Sequence, residues 1–228
     1  MKTGTRVAPP TSRKKILIVD DHPVLRRGLS ELIGKEPDLT VCGAVENAQL
    51  ALNLIASLQP DLVLADVSMP GKSGLELIKE MRKQQPGLAI LVFSMHDETV
   101  YAERMLQAGA RGYIMKSRDG NDLLCAIRRV LEGKIYVSEE MSNLILDRFS
   151  DRPVRASHSE ISKLTDREFE VFQLIGQGLT SREIGKRLFI SPKTVDTHRL
   201  HIKEKLQLES MPEMIKFAVR WVATQDMI

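Results

Sequence analysis

Four short apolar runs in this 228-residue chain each end on a group that can do chemistry. Residues 16–19 are followed by Asp20 and Asp21, residues 62–65 by Asp66, residues 89–93 by Ser94, and residues 112–115 by Lys116. An acidic pair, a single carboxylate, a hydroxyl and an amine at successive run ends read as one assembled site. In an open parallel α/β sheet, ligands bind beyond the carboxyl ends of the strands, where the strand order reverses. On that pattern alone, Asp66 could be a catalytic carboxylate, and an enzyme is allowed.

The elements that must position these groups are legible from periodicity. The four runs are continuously apolar and rich in β-branched or aliphatic residues, as expected of strands buried on both faces. Between them lie stretches with helical spacing: Val24, Leu25, Leu29, Leu32 and Ile33; Leu50, Leu54 and Ile55, after a further strand at 39–42; Leu75, Leu77, Ile78 and Met81; Val100, Tyr101, Met105 and Leu106; and Leu123, Leu124, Ile127, Val130 and Leu131. Five strand-helix repeats predict a doubly wound, flavodoxin-like α/β domain over residues 15–135. Residues 1–14 carry Pro9-Pro10 without apolar periodicity and read as a disordered leader. Residues 136–163 read as a connecting helix, starting at Ser138-Glu139-Glu140, followed by a polar linker.

Composition narrows the class. With 43% hydrophobic and 28% charged residues, the chain is long enough for two ordinary domains. The apolar runs fall well short of a membrane span, and the start lacks a signal-peptide core, so a cytoplasmic protein is expected. A net charge of +3 permits nucleic-acid binding without arguing for it. Cys42 and Cys125 lack metal-ligand spacing and read as reduced packing residues.

Residues 164–228 are expected to form a second, small all-α domain. Thr165-x-x-Glu168 and Thr180-x-x-Glu183 fit capping boxes, and Ser191-Pro192 fits an N-cap followed by proline at the first helical position. Gly176 and Gly178 lie where the first helix should stop. Two helices joined by the tight link Phe189-Ile190-Ser191 make a helix-turn-helix pattern. On the third helix, about 192–206, Val195, His198 or Arg199, Ile202 and Leu206 form the inward stripe. Lys193, Asp196, Thr197, Leu200, Lys203 and Glu204 then point outward. Such a face can meet a DNA major groove, with lysine at phosphates, aspartate at a cytosine amino group, and leucine or threonine at a thymine methyl. It equally fits a solvated face of a small bundle.

Ile18-Val19-Asp20-Asp21-His22-Pro23, Asp66-Val67-Ser68-Met69-Pro70, Ser94 and Gly112-Tyr113-Ile114-Met115-Lys116 resemble the receiver domain of bacterial two-component response regulators. Leu164-Thr165-Asp166-Arg167-Glu168-x-Glu170-Val171 and Thr194-Val195-Asp196-Thr197-His198-x-x-x-Ile202-x-x-Lys205-Leu206 resemble a LuxR-type DNA-binding domain. The pair is similar to the NarL/FixJ class. The resemblance implies that Asp66 accepts a phosphoryl group from a sensor histidine kinase, that Asp20, Asp21, Asp66 and the Ser68 backbone carbonyl hold Mg²⁺, and that Lys116 and Ser94 bind the phosphoryl oxygens. Three crowded carboxylates repel one another without a cation, which makes metal dependence a physical expectation too. Tyr113 matches the class's switch aromatic. Lys193, Thr194, Asp196, Thr197, Arg199, Leu200, His201 and Lys203 become the candidate contacts to double-stranded promoter DNA. The protein is expected to act as a homodimer through the last helix, about 213–224. Phosphorylation would change the surface around the fourth helix, fifth strand and fifth helix, or free the recognition helix from the receiver.

Gly185 stands where the class usually has alanine, and His201 where asparagine is frequent. Ser68 occupies a position that tunes phosphoryl lifetime. An aspartyl-nucleophile phosphatase would need a second acid there, two residues after Asp66. A dinucleotide enzyme would need a glycine-rich turn after the first strand, where Asp20-Asp21-His22-Pro23 stands. A transcription factor with a relict receiver is the remaining rival.

Overall fold

The computed structural model describes residues 13–67, 69, 74–149, 161 and 163–225. Its first part is a five-stranded sheet in the order β2-β1-β3-β4-β5, with all four pairings parallel. The strands are β1 (Lys14–Val19), β2 (Leu39–Val45), β3 (Leu62–Ala65), β4 (Ala89–Ser94) and β5 (Gly112–Met115). They alternate with α1 (Pro23–Gly34), α2 (Ala48–Leu58), α3 (Gly74–Gln84), α4 (Glu98–Ala108) and α5 (Gly120–Leu131). The chain steps from β1 outward to β2 and then returns past β1 to β3. The reversal therefore falls between β1 and β3, the strands that carry Asp20 and Asp66.

Successive strand residues face opposite sides, which sorts the core into two layers. Leu17, Val19, Val63, Ala65, Ile90 and Val92 pack with Ala51, Ile55, Ile78, Met81 and Ala102 of α2, α3 and α4. Ile16, Ile18, Leu62, Leu64, Leu91 and Phe93 pack with Leu29, Ile33, Leu123, Leu124 and Ile127 of α1 and α5. Burial on both faces is what made these strands read as unbroken apolar runs.

Some expectations need correction. β2 runs on to Val45 because the β1–β2 register shifts between Ile16 and Leu17, so that Gly43 rather than Cys42 pairs with Leu17. At Gly43 a Cβ would come within 2.9 Å of Leu58 Cδ1, so the glycine marks a close approach and not a strand end. Val24 and Leu50, assigned to apolar helix faces, are exposed at 87% and 42%. Cys125 is exposed as well, so only Cys42 is partly packed.

The connecting helix α6 is Glu139–Phe149, with Ser138 Oγ accepting the Met141 N–H at 3.1 Å. The expected leader, except residues 13 and 14, and most of the expected linker lie outside the described residues. The remaining helices are α7 (Asp166–Gly176), α8 (Ser181–Leu188), α9 (Pro192–Lys205) and α10 (Met211–Gln225). Both capping boxes form, and Ser191 caps α9 through the Thr194 N–H. Phe169, Phe172, Ile184, Val195, Ile202, Met214 and Ala218 are the buried anchors of this helical part. Gly185 is more than a weak helix former: a Cβ there would lie 2.7 Å from the Ile190 carbonyl oxygen, so its absence lets the α8–α9 turn close tightly.

Candidate functional site

Asp20 and Asp66 leave the sheet side by side because Val19 pairs with Ala65. The Asp66 N–H donates to the Val19 carbonyl at 2.8 Å, and the Asp20 N–H to the Val45 carbonyl at 3.0 Å, fixing both residues past the strand ends. Both are about 1% exposed. Lys116 arrives from β5, its N–H held by the Ser94 carbonyl at 2.7 Å. Its Nζ bridges Asp20 Oδ2 at 2.7 Å and Asp66 Oδ2 at 2.6 Å. Burial alone would lower the Lys116 pKa, and the bonds to Asp20 and Asp66 overcome this and raise it. The ammonium is therefore firmly charged between two buried carboxylates.

Asp21 is the more open acid, its side chain 31% exposed, with His22 Nδ1 2.9 Å from Oδ1. That Oδ1 is buried and makes no hydrogen bond among the described residues. Ligand atoms of Asp20, Asp21, His22 and Asp66 all lie within 4.8 Å of one another. Several carboxylate oxygens, one an orphaned acceptor, suit a hard divalent cation such as Mg²⁺. Ser68, whose carbonyl was expected to join them, lies outside the described residues. His22 stands at the N-cap of α1 without a side-chain cap, and its N–H donates to Asp20 Oδ1 at 2.7 Å.

Ser94 and Tyr113 meet over one loop. Ser94 is fully buried, and its Oγ accepts the His96 N–H at 3.2 Å. Tyr113 is also fully buried, and its hydroxyl donates to the His96 carbonyl at 2.9 Å. Burial drives the Tyr113 phenol far above its ordinary pKa, with the Ser94 hydrogen bond opposing, so it stays a proton donor. The His96 ring stacks on Tyr101 of α4, centroids 4.5 Å apart and planes within 8°.

On α9, Lys193, Thr194, Asp196, Thr197, Leu200 and His201 are exposed along one surface, and Lys203 is only half-buried. Arg199 and His198, alternatives for the inward stripe, are both intermediate; Val195, Ile202 and Leu206 carry it. Arg199 turns sideways toward α8, with Nη1 donating to Ser181 Oγ at 2.7 Å. The lower flank of the helix is tied to α7, where Lys205 Nζ meets Glu168 Oε2 at 2.6 Å.

Contacts between the two parts of the chain were not anticipated. Lys79 on α3 pairs with Asp166 at 2.6 Å. Arg104 on α4 donates to the Leu164 carbonyl at 2.8 Å and to the Ile161 carbonyl at 2.7 Å, and its guanidinium lies 4.5 Å from the centre of the Phe169 ring. These contacts fall on α7 and the segment before it. They leave the outward surface of α9 open, so release of a covered recognition helix does not describe this arrangement. In the sequence, Tyr101 looked like one more apolar stripe residue, and Arg104 was not singled out. Neither carried a signal of its partner.

Fold and site together define a two-part protein: an acidic pocket with a bridging lysine at the strand-order reversal of a parallel sheet, joined to a helix-turn-helix. Residues 16–128 match the family described as response regulator receiver domain, and residues 162–218 that of bacterial regulatory proteins, luxR family. The chain is 38% identical over 210 residues to the nitrate/nitrite response regulator protein NarL of Escherichia coli strain K12, covering 91% of this chain and 94% of that protein. It is 34% identical over 211 residues to the oxygen regulatory protein NreC of Staphylococcus epidermidis, covering 90% and 97%. In fold it matches RcsB of Salmonella enterica serovar Typhimurium, solved bound to a promoter with a phosphomimetic, with a TM-score of 0.70 at 24% identity over 91% of this chain and 99% of that one. The protein belongs to the two-component response regulators of the NarL/FixJ class, a receiver domain followed by a LuxR-type DNA-binding domain.

Proposed function

We propose that Asp66 accepts a phosphoryl group from a sensor histidine kinase in the cytoplasm, and that the phosphorylated protein binds promoter DNA as a homodimer through α9. The observation that carries this reading is the buried bridge of Lys116 between Asp66 and Asp20. A carboxylate oxygen of Asp66 forms a bond to phosphorus while the bond from phosphorus to the donor nitrogen breaks, and the imidazole leaves with the electron pair. Lys116 then follows the incoming charge from a carboxylate to a phosphoryl oxygen, and the Ser94 hydroxyl can donate to another. Asp20, Asp21 and Asp66 would hold Mg²⁺, which would offset the negative charge of the phosphoryl oxygens.

The added charge, roughly −1.5 to −2 by analogy with phosphorylated hydroxyls, acts next to Ser94. Ser94 and Tyr113 both hold His96, so a shift at Ser94 reaches the His96–Tyr101 stack and α4. On the output side, Ile215 and Val219 are exposed on α10 at 37% and 44%, an apolar pair suited to a second copy. None of the described helices is long and apolar enough to cross a membrane.

The test follows covalent mass and DNA affinity after incubation with a small phosphodonor and Mg²⁺, for wild type and Asp66→Asn. Wild type should gain one phosphoryl group and bind DNA more tightly, and the variant should do neither. Equal gain by the variant sinks the assignment of Asp66; gain without any DNA response favours a relict receiver.

A further inference from the structure

Asp196 is an acid on a surface that must approach a polyanion, where charge alone lowers affinity for every sequence. Its side chain is 61% exposed, yet one of its oxygens is fixed. Oδ1 accepts the Ser181 hydroxyl at 2.7 Å, and that hydroxyl oxygen accepts from Arg199 Nη1 at 2.7 Å. Arg199 Nη1 itself lies 3.7 Å from Asp196 Oδ1. Ser181 is the first residue of α8, so the carboxylate is anchored from a neighbouring helix as well as from its own. Oδ2 makes no hydrogen bond among the described residues. The result is an oriented acceptor with a spare oxygen on the open surface of α9.

The major groove offers a carboxylate few partners. Guanine and thymine present acceptors, which repel it. Adenine presents an amino group beside the N7 acceptor, and cytosine presents its 4-amino group without a competing acceptor on that base. An anchored carboxylate therefore favours cytosine and penalises the other three. Building on the DNA-binding reading above, we propose that Asp196 reads the 4-amino group of one cytosine wherever α9 enters the major groove, with Ser181 and Arg199 as positioning residues.

The test is selection of bound duplexes from a randomised library by the full-length protein, with and without phosphodonor and Mg²⁺, followed by competition binding at the selected site. Wild type should fix cytosine at one position, and replacing that base should weaken binding on the order of tenfold or more. Asp196→Ala should lose the preference at that position and keep the others. Asp196→Asn should move it to adenine, whose N6 and N7 match a carboxamide. Ser181→Ala should blur the same position alone, an effect that loss of helix stability would spread over the whole site. If wild type selects a sequence and Asp196→Ala selects the same one, cytosine reading is wrong and DNA binding stands. If wild type selects no sequence with or without phosphodonor, the DNA-binding reading fails and takes this inference with it.

Discussion

The Tyr101 ring meets the Phe169 ring edge-on, centroids 5.2 Å apart and planes at 66°, joining α4 of the receiver to α7 of the DNA-binding domain. Tyr101 is stacked on its other side by His96, and Phe169 packs in turn against Trp221 at 5.7 Å. A continuous run of rings thus leads from the loop held by Ser94 to the helix that would dimerise on DNA.

Replacing Arg104 should loosen this junction. Burial holds its pKa below the ordinary arginine value, with Asp166 opposing, and its two bonds to backbone carbonyls are charge-assisted. Such bonds contribute on the order of 1.5 kcal/mol or more each. Arg104→Ala should increase the radius of gyration in solution scattering and speed proteolysis between the domains, whereas unchanged scattering would show that the junction does not depend on it.

Lys116→Met should lower thermal stability in chelator by about 3–5 kcal/mol, because it leaves two buried carboxylates without their counter-charge. Added Mg²⁺ should restore more stability to the variant than to wild type, since the cation can take the place of the lost charge. Calorimetric scans with chelator and with Mg²⁺ compare the two directly, and an equal Mg²⁺ response would argue against a cation among Asp20, Asp21 and Asp66.

Glu168 supplies a pH test in the other domain. Burial raises its pKa, but the Lys205 hydrogen bond and the Thr165 cap outweigh this and leave it below the ordinary value of 4.5. An acid with a depressed folded pKa contributes stability that is present above its unfolded value and lost as pH falls through the folded one. Glu168→Gln keeps an acceptor for the cap and loses the charge. It should cost about 1 kcal/mol at pH 7, and the difference from wild type should shrink as pH falls through the depressed folded pKa.

Glu98 has the opposite sign. Burial raises its pKa against the pull of its bonds to Ser138. Its contribution is therefore present below the unfolded value and falls as pH rises through the folded one. Glu98→Gln, which keeps an acceptor for the Ser138 N–H, should raise stability at neutral pH by on the order of 1 kcal/mol. Denaturant titrations at pH 4 and pH 7 check this, and a variant weaker at both would show that the carboxylate itself is needed.

Lys193→Ala should weaken DNA binding at every sequence and flatten the dependence on salt by about one ion. Lys203→Ala should do less, being half-buried. Binding isotherms at several salt concentrations separate the two, and an unchanged slope for Lys193→Ala would move the phosphate contacts elsewhere.

Much of this architecture is written locally. Buried parallel strands show as unbroken apolar runs, and the chemistry at their ends declares itself because each polar residue interrupts such a run. The helix starts at Thr165, Thr180 and Ser191 are equally local, since capping is a matter of three or four residues. What sequence could not show depends on distant partners. Gly43 looked like the end of a strand because the register shift that carries β2 past it is set by β1. Val24 and Leu50 looked inward because spacing cannot tell which apolar residues exceed the core's capacity. Arg199 was a candidate for DNA, but its reach to Ser181 depends on how α8 crosses α9. The pairings of Lys79, Arg104 and Tyr101 arise only when the surfaces of two parts of the chain, distant in sequence, meet.

The open face of α9 also bears on how such a protein finds its targets. On the function proposed above, the exposed outward face of α9 would leave the protein free for weak, sequence-independent encounters with DNA while its two domains are in contact. Phosphorylation would then act on dwell time at a site already being visited, by supplying a second copy to share it, and response speed would be set by pairing on DNA and not by a search begun from solution.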